Sequence, residues 1–285
     1  MADVRFVTAA RLDVPDPDTP LLTNALQARG VEVAVDNWRD ERVDWGSAAV
    51  TVVRSPWDYV DARDAFVEWA HKTGCVTDLW NPPQLLEWNT HKSYLLELES
   101  RGAPVVPTVL MLGGTAASLD AICDARGWNQ VVVKPAVGIG ARDARRFDVG
   151  DRAGQAHLDA LLERGDVLVQ PYIAGIETVG ERSVLLAGGV PTHALRKRPE
   201  TGDFRVQENW GGSTELVIAE PEVLALAARV CTALPAPTMY ARIDMLRGSH
   251  GWHVLEVEVT EPSLWLDLAP PAATEAFVAA IISRL

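Results

Sequence analysis

The chain has 285 residues, with 26 Lys and Arg against 39 Asp and Glu, a formal net charge of −13 and a hydrophobic content of 48%. This is enough apolar sequence for one large domain or two to three smaller ones of ordinary globular composition. The acidic balance argues against non-specific nucleic-acid or anionic-membrane partners, which need basic surface, and leaves room for a local basic pocket. The three cysteines, Cys75, Cys123 and Cys231, are too few and too scattered for a disulfide framework or a zinc spacing, so each is expected to be a small core residue. Met1 to Asp16 is acidic with only a short apolar run, and no stretch approaches the roughly 20 apolar residues of a membrane span. The expectation is a soluble, cytoplasmic protein with no membrane or nucleic-acid partner; a homo-oligomer is compatible with the sequence.

In chain order, Val4–Thr8 predicts a strand, about Leu21–Arg29 a helix closed by Gly30, Val31–Val35 a strand, and Ala48–Val53 a strand apolar enough to be buried on both faces. With a helix over Asp61–Lys72 this is an α/β unit with a parallel sheet. The third strand runs into Arg54-Ser55-Pro56-Trp57-Asp58-Tyr59 at its carboxyl end, where open α/β sheets bind ligands. Arg54, Ser55 and Asp58 could hold a small zwitterion, or the loop could be Pro-anchored with a surface ion pair. Leu79–Trp88 reads as a Pro-containing linker with a short helix. A helix from Thr90 to Arg101, with Lys92 in its first turn, completes a hinge. The pattern then changes to α+β. Strands are expected at Val109–Leu112, Gln130–Pro135, Ala144–Val149 and Asp166–Pro171, and helices over Ala116–Arg126 and Asp151–Glu163. Glu181–Ala187 and Val190–Lys197 make a hairpin about Gly188-Gly189. Arg198–Ser213 is a long polar loop of the kind that forms lids, and helices follow over Pro221–Thr232 and Thr274–Leu285.

Met239–Ser263 predicts two strands about a Gly-Ser-His-Gly turn. Ile243, Met245, Leu255, Val257 and Val259 share one parity, whereas Arg242, Asp244, Glu256 and Glu258 share the other. If the turn centres near His250, Asp244 faces Glu256 across the pair. Such like charges either decorate a solvated face or gather a cation such as Mg²⁺. Lys134 ends a buried strand just before a small-residue loop through Gly138 and Gly140, a segment that is either a turn or a phosphate cradle. Arg196, Lys197 and Arg198 form a basic run, and Arg205 and Arg242 read as arginines in acid-poor company, free to clamp phosphate.

Lys134, the segment Gln170-Pro171-Tyr172-Ile173, Glu181, Lys197 and the carboxylates Asp244, Glu256 and Glu258 together resemble the ATP-grasp ligases over about residues 89–268. Asp203-Phe204-Arg205 followed by Gly211-Gly212 is similar to the glutathione-synthetase-like and ribosomal-protein glutamate-ligase-like branch. The resemblance implies an ATP-grasp fold of α/β and α+β parts: an N-terminal domain over 1–88, a hinge and central lobe over 89–172, and a C-terminal lobe over 173–285. It implies ATP and Mg²⁺, with Mn²⁺ as a substitute. Lys92 and Lys134 would touch the nucleotide phosphates, Gln170, Tyr172 and Ile173 the adenine, Glu181 the ribose, and Lys197 the adenine and phosphates. Arg205 and Arg242 would meet the γ-phosphate or the substrate carboxylate, and Asp244, Glu256 and Glu258 the metal. The family more often has Asn where Glu258 stands. The implied reaction joins a carboxylate to an amine through an acyl phosphate on a small amino-acid-like substrate, with the Arg54–Tyr59 loop and the Glu261–Trp265 segment, Ser263 included, lining the open side; one type in the family closes O-ureidoserine to cycloserine. A small-molecule kinase and a non-catalytic nucleotide binder are the alternatives.

Overall fold

The structure is a computed structural model and describes residues 2–285. Its first part contains β1 (Val4–Thr8), α1 (Asp18–Gln27), β2 (Val33–Asn37), β3 (Val50–Ser55), α2 (Arg63–Gly74) and β4 (Asp78–Trp80). The strands form a parallel sheet in the order β2-β1-β3-β4, as the alternation of strands and helices predicts. Every residue of β3 is buried, which is why that stretch shows no polar alternation. The expected linker from Leu79 instead supplies β4. Three residues are too few to show a period, and they become a strand by pairing with Val50–Val52. Trp38, Tyr59 and Phe66 pack together at one side of this sheet, with Trp69 against them. Of the cysteines, only Cys123 is fully buried, and Cys75 is exposed, against the expectation that all three fill the core.

Next come α3 (Pro83–Asn89) and α4 (Tyr94–Ser100). The helix expected from Thr90 begins only at Tyr94, so Lys92 lies in the turn before it rather than in its first turn. Lys92 thus directly precedes the capping residue Ser93, and its ammonium is held by Glu256 at 2.8 Å. The central part contains β5 (Val109–Met111), α5 (Leu119–Arg126), β6 (Gln130–Pro135), β7 (Arg145–Asp148), α6 (Arg152–Leu162) and β8 (Val167–Pro171). Its antiparallel sheet, β5-β8-β6-β7, has its own core with α5 and α6. The Ser118 hydroxyl caps α5 by accepting from the Ala121 amide, and Gly127, at φ 67°, ends it.

The last part contains α7 (Gly175–Thr178), β9 (Glu181–Ala187), β10 (Val190–Arg198), β11 (Ser213–Val217), α8 (Pro221–Thr232), β12 (Tyr240–Gly248), β13 (Gly251–Glu258) and α9 (Pro271–Ile282). The sheet order is β11-β10-β9-β12-β13, so the sequence after the long loop, read as irregular, adds an edge strand on β10. Val184 and Leu186 face α8, whereas Leu185 and Ala187 face α9 and the N-terminal sheet. Because β9 is the central strand, all seven of its residues are buried, including Glu181, Arg182 and Ser183. A central strand that begins with charged residues places buried charge by construction.

The outer edge of β13 would be an open template for pairing. Instead Val254 exchanges backbone bonds with Pro104 and Val106, both at 2.8 Å. The Tyr94 hydroxyl donates to Val257 O at 2.9 Å, and Asn89 donates to Val257 O at 2.7 Å and accepts from Val259 N at 2.9 Å. Asn89→Ala leaves the buried Val259 amide unpaired and is expected to cost about 1–3 kcal/mol. Urea denaturation checks this; a midpoint equal to that of the unsubstituted protein would show that the edge is held by packing alone.

Candidate active site

The carboxylate hairpin has the expected register, with Arg242 opposite Glu258 and Asp244 opposite Glu256. One position breaks the expected parity. A bulge after Asp244 pairs Met245 with Val254, so Trp252, Val254 and Val257 face the core and Leu255 does not. Leu255 packs instead with Ile176, Val206 and Leu246, beside Tyr172 and Ile173, at the mouth between the central and C-terminal sheets.

Three cations divide the acids of this face, and a fourth stands apart from them. Arg242 donates from Nε to Asp244 Oδ1 and from Nη2 to Asp244 Oδ2, each at 3.0 Å, and also to Glu258 Oε1. Lys197 lies 3.0 Å from Glu181 Oε1 and 3.4 Å from Asp244 Oδ1, and Ser183 donates to Asp244 at 2.5 Å. Lys92 lies 2.8 Å from Glu256 Oε1 and donates to Gly138 O at 2.6 Å. Lys134, the fourth, has no carboxylate oxygen within 4.0 Å among the described residues, and burial pulls its ammonium below its ordinary range. Burial works against ionisation of Asp244, but Arg242 and Lys197 prevail and hold it at about 2. Glu258 is pushed the other way, up to about 7, by burial and by the neighbouring Glu256 and Asp244, against the pull of Arg242.

Two expectations need correction here. Arg205 and Arg242 are not in acid-poor company: Arg205 is clamped by Asp203 at 2.6 Å, and Arg242 by Asp244. Each arginine is two residues from its partner, a spacing visible in the chain. Second, among the described residues no three His, Cys, Asp or Glu side chains converge to hold a metal, so Asp244, Glu256 and Glu258 are not a preformed cage. The physical reason is that protein cations already neutralise them, and Asp244 is fully engaged. Glu256 and Glu258 each spend Oε1 on a cation and keep Oε2 free of protein bonds, a donor pair that suits Mg²⁺ held largely by phosphate.

The loop after β6 crosses this face. Gly140 has φ 59°, and Val137 and Ile139 pack against the aromatic cluster of the N-terminal sheet. Trp210 donates from Nε1 to Gly140 O at 3.1 Å, and the Arg205 guanidinium stacks 3.5 Å from the Trp210 ring, so the long loop from Arg198 is ordered against the glycine loop. Gln170 turns its buried amide to Thr108 at 2.8 Å and pairs with Val132 in the sheet, and the Tyr172 amide donates to Gln130 O at 2.8 Å, so these groups of the segment are already committed. Tyr172 itself is braced by Arg146, 4.6 Å over its ring, and by Glu177. Glu181 uses Oε1 for Lys197 and keeps Oε2.

At the other end of the site the structure redistributes the expected substrate residues. Arg54 is 2% exposed, donates to Pro262 O at 3.1 Å and lies 5.4 Å over the Tyr240 ring; it shapes the loop and is sealed from a substrate. Ser55 is equally buried and bonds Thr8 at 3.0 Å. Asp58 accepts from Trp38 Nε1 at 2.7 Å and Arg39 Nε at 2.9 Å, a clamp within the N-terminal sheet. Ser263 does lie in the site, its carbonyl accepting from Arg242 at 3.4 Å. Asp18, which no local signal marks, joins this end of the site beside Tyr59, Glu261 and Trp265 of the expected lining segments. Asp18 is buried and accepts from the Leu264 and Leu266 amides at 2.6 and 2.9 Å, and Trp265, at φ 48°, lies 4.6 Å beneath Lys197. An aspartate at the start of a helix reads as an ordinary cap, so nothing local marks this long-range role. Asp18→Ala strands two amides and the Arg54 charge, and is expected to cost about 3–5 kcal/mol in a thermal or denaturant melt; an unshifted melt would show that Arg54 needs no counter-charge.

Comparison with known proteins agrees with this geometry. Residues 4–81 match the family described as the N-terminal domain of D-cycloserine synthetase DcsG, and residues 105–269 match the ATP-grasp domain of prokaryotic glutathione synthetase. The cycloserine biosynthesis protein DcsG of Streptomyces lavendulae is 32% identical over 95% of this chain and 94% of its own length. A glutathione synthetase of Parasynechococcus marenigrum is 30% identical over 69% of this chain and 61% of its own length. The crystal structure of D-cycloserine synthetase DcsG superposes with a TM-score of 0.90, 30% identity and 99% coverage of both chains. D-alanine–D-alanine ligase from Bacillus anthracis, complexed with ATP, shares the fold at a TM-score of 0.70 and 15% identity, covering 100% of this chain and 96% of its own. This chain therefore belongs to the ATP-grasp ligases, a family of enzymes that use ATP and Mg²⁺.

Proposed function

We propose that the chain activates the carboxylate of a small amino-acid-like substrate with ATP and joins it to an amine, and that the amine is carried by the same molecule, as in the cycloserine-forming ligases. The single observation that carries this is the set of cations Lys92, Lys134, Lys197 and Arg242 around two glutamates that each retain a free oxygen. Positive charge at that density, beside an open carboxylate pair, suits a metal-bound triphosphate. Lys92 and Lys134 are assigned to the phosphates, the Gly138–Gly140 backbone to the same groups, and the remaining backbone groups of Gln170–Ile173 to the adenine. Glu181 Oε2 is assigned to the ribose and Arg242 to the transferring phosphoryl group. Mg²⁺, when bound, would neutralise phosphate charge, with Glu256 and Glu258 as its carboxylates. Asp244 is left as the residue that orients Arg242 and Lys197.

In the first step a substrate carboxylate oxygen attacks the γ-phosphorus and ADP leaves. In the second a nitrogen attacks the acyl carbon, phosphate leaves and a proton is lost. No protein nucleophile is required, so the protein's part is positioning and charge neutralisation. Trp210 on the glycine loop closes the site against water, which protects an acyl phosphate. The test is ADP release by the purified protein with O-ureidoserine and with a panel of amino acids, each with and without hydroxylamine. Hydroxamate formation is the expected sign of an acyl phosphate. AMP as product would refute the ligase chemistry, and a stable phosphorylated substrate would indicate a kinase.

A further inference from the structure

The buried acids near the site are matched to cations with one exception. Glu181, Asp244, Glu256 and Glu258 each have a Lys or Arg nitrogen within 4.0 Å. Glu261, 6% exposed, has none among the described residues, although Lys92, Glu256 and Glu258 are near enough to act on it electrostatically. The Tyr59 hydroxyl faces its carboxyl, and a phenol holds a carboxylate without neutralising it. Burial and the neighbouring Glu258 push this carboxyl up to about 8, so a cation from outside the chain is what would hold it ionised.

The backbone around Glu261 is fixed at successive residues. Trp57 donates to the Glu261 carbonyl at 3.2 Å, Arg54 to the Pro262 carbonyl at 3.1 Å, and Arg242 to the Ser263 carbonyl at 3.4 Å. The next amide, Leu264 N, is held by Asp18 at 2.6 Å. Side chains from β3 and the loop after it, from β12 and from α1 thus brace one short segment, and the Glu261 carboxyl is the charged group of that segment without a cation. Asp58, the acid that position in the sequence suggested for a substrate ammonium, is already committed to Trp38 and Arg39.

We infer that Glu261, braced by Tyr59, receives the ammonium group of an α-amino acid substrate and so selects amino acids over plain carboxylic acids. This rests on the ligase reading above. A primary ammonium supplies a charge and three donors, enough for both Glu261 oxygens; a carboxylic acid lacking the amine leaves the buried carboxyl with Tyr59 and no counter-charge.

The experiment compares O-ureidoserine with its desamino counterpart, 3-(ureidooxy)propanoate, in ADP release with hydroxylamine present, so that carboxylate activation is read for both. The unsubstituted protein is expected to prefer the amino acid at least tenfold in kcat/KM. Glu261→Gln is expected to raise the KM for O-ureidoserine 10–100-fold and to reduce that preference to about twofold or less, with the ATP KM and the Mg²⁺ half-saturation within twofold. Tyr59→Phe keeps the carboxyl and should raise the same KM by a smaller factor, and it serves if the first variant does not fold. An unchanged KM for O-ureidoserine in these variants overturns the inference, as does a shift confined to the Mg²⁺ half-saturation. If the unsubstituted protein releases no ADP with either compound or with any of the amino-acid panel, the ligase reading fails and the inference falls with it.

Discussion

Glu256→Gln is expected to lower ADP formation by about 10²–10³-fold at saturating ATP and Mg²⁺, the usual loss when one fixed electrostatic group is removed from a transition state. Glu256 sits between Lys92, at 2.8 Å, and the approach to Lys134, and its carboxyl is held below its ordinary range, against burial, chiefly by Lys92. Glutamine keeps an oxygen to accept from Lys92, so the melting temperature should stay close to that of the parent. Glu256→Ala should lose both activity and stability, because it leaves a buried ammonium without its nearest partner, a change that costs about 3–5 kcal/mol. The pair of variants separates the two roles. Activity within tenfold of the parent in Glu256→Gln would refute its assignment to the metal and phosphates.

Lys134→Met should act in the opposite way on stability. The ammonium is buried, its pKa is lowered by that burial, and Glu256 opposes the shift without closing to ion-pair distance. The native state therefore disfavours this charge, and a methionine of similar length is expected to leave the denaturation midpoint unchanged or higher. The loss appears in binding. A charged hydrogen bond to a phosphate is worth about 1.5–3 kcal/mol, which corresponds to a rise of about 10–100-fold in the ATP KM. A lower midpoint with an unchanged ATP KM would make Lys134 a structural residue.

Much of the architecture was legible in the chain because the signals were local. The parallel N-terminal sheet followed from alternating strands and helices, the β9–β10 hairpin from Gly188-Gly189, and α8 from Pro221 onward. The misread stretches were short or lacked a period. β4 has three residues, β11 follows a long polar loop, and the bulge at Leu255 shifts a register by one residue, which no alternation can reveal in advance.

The site divides along the same line. By itself the sequence determined that Arg242, Asp244, Glu256 and Glu258 share a face and that Lys134 ends a buried strand, because strand periodicity is a property of neighbouring residues. The resemblance to ATP-grasp ligases supplied the chemistry that those residues serve. Only the tertiary structure decided which charges are already spent. It engaged Asp244 with Lys197 and Ser183, committed Asp58 to Trp38 and Arg39, sealed Arg54 beneath Pro262, and left Glu261 without a cation. These are pairings across as many as 208 residues of chain, as for Arg54 and Pro262. Whether a carboxylate is free for a ligand depends on which cation the fold brings within a few ångströms, and one-dimensional spacing does not carry that distance.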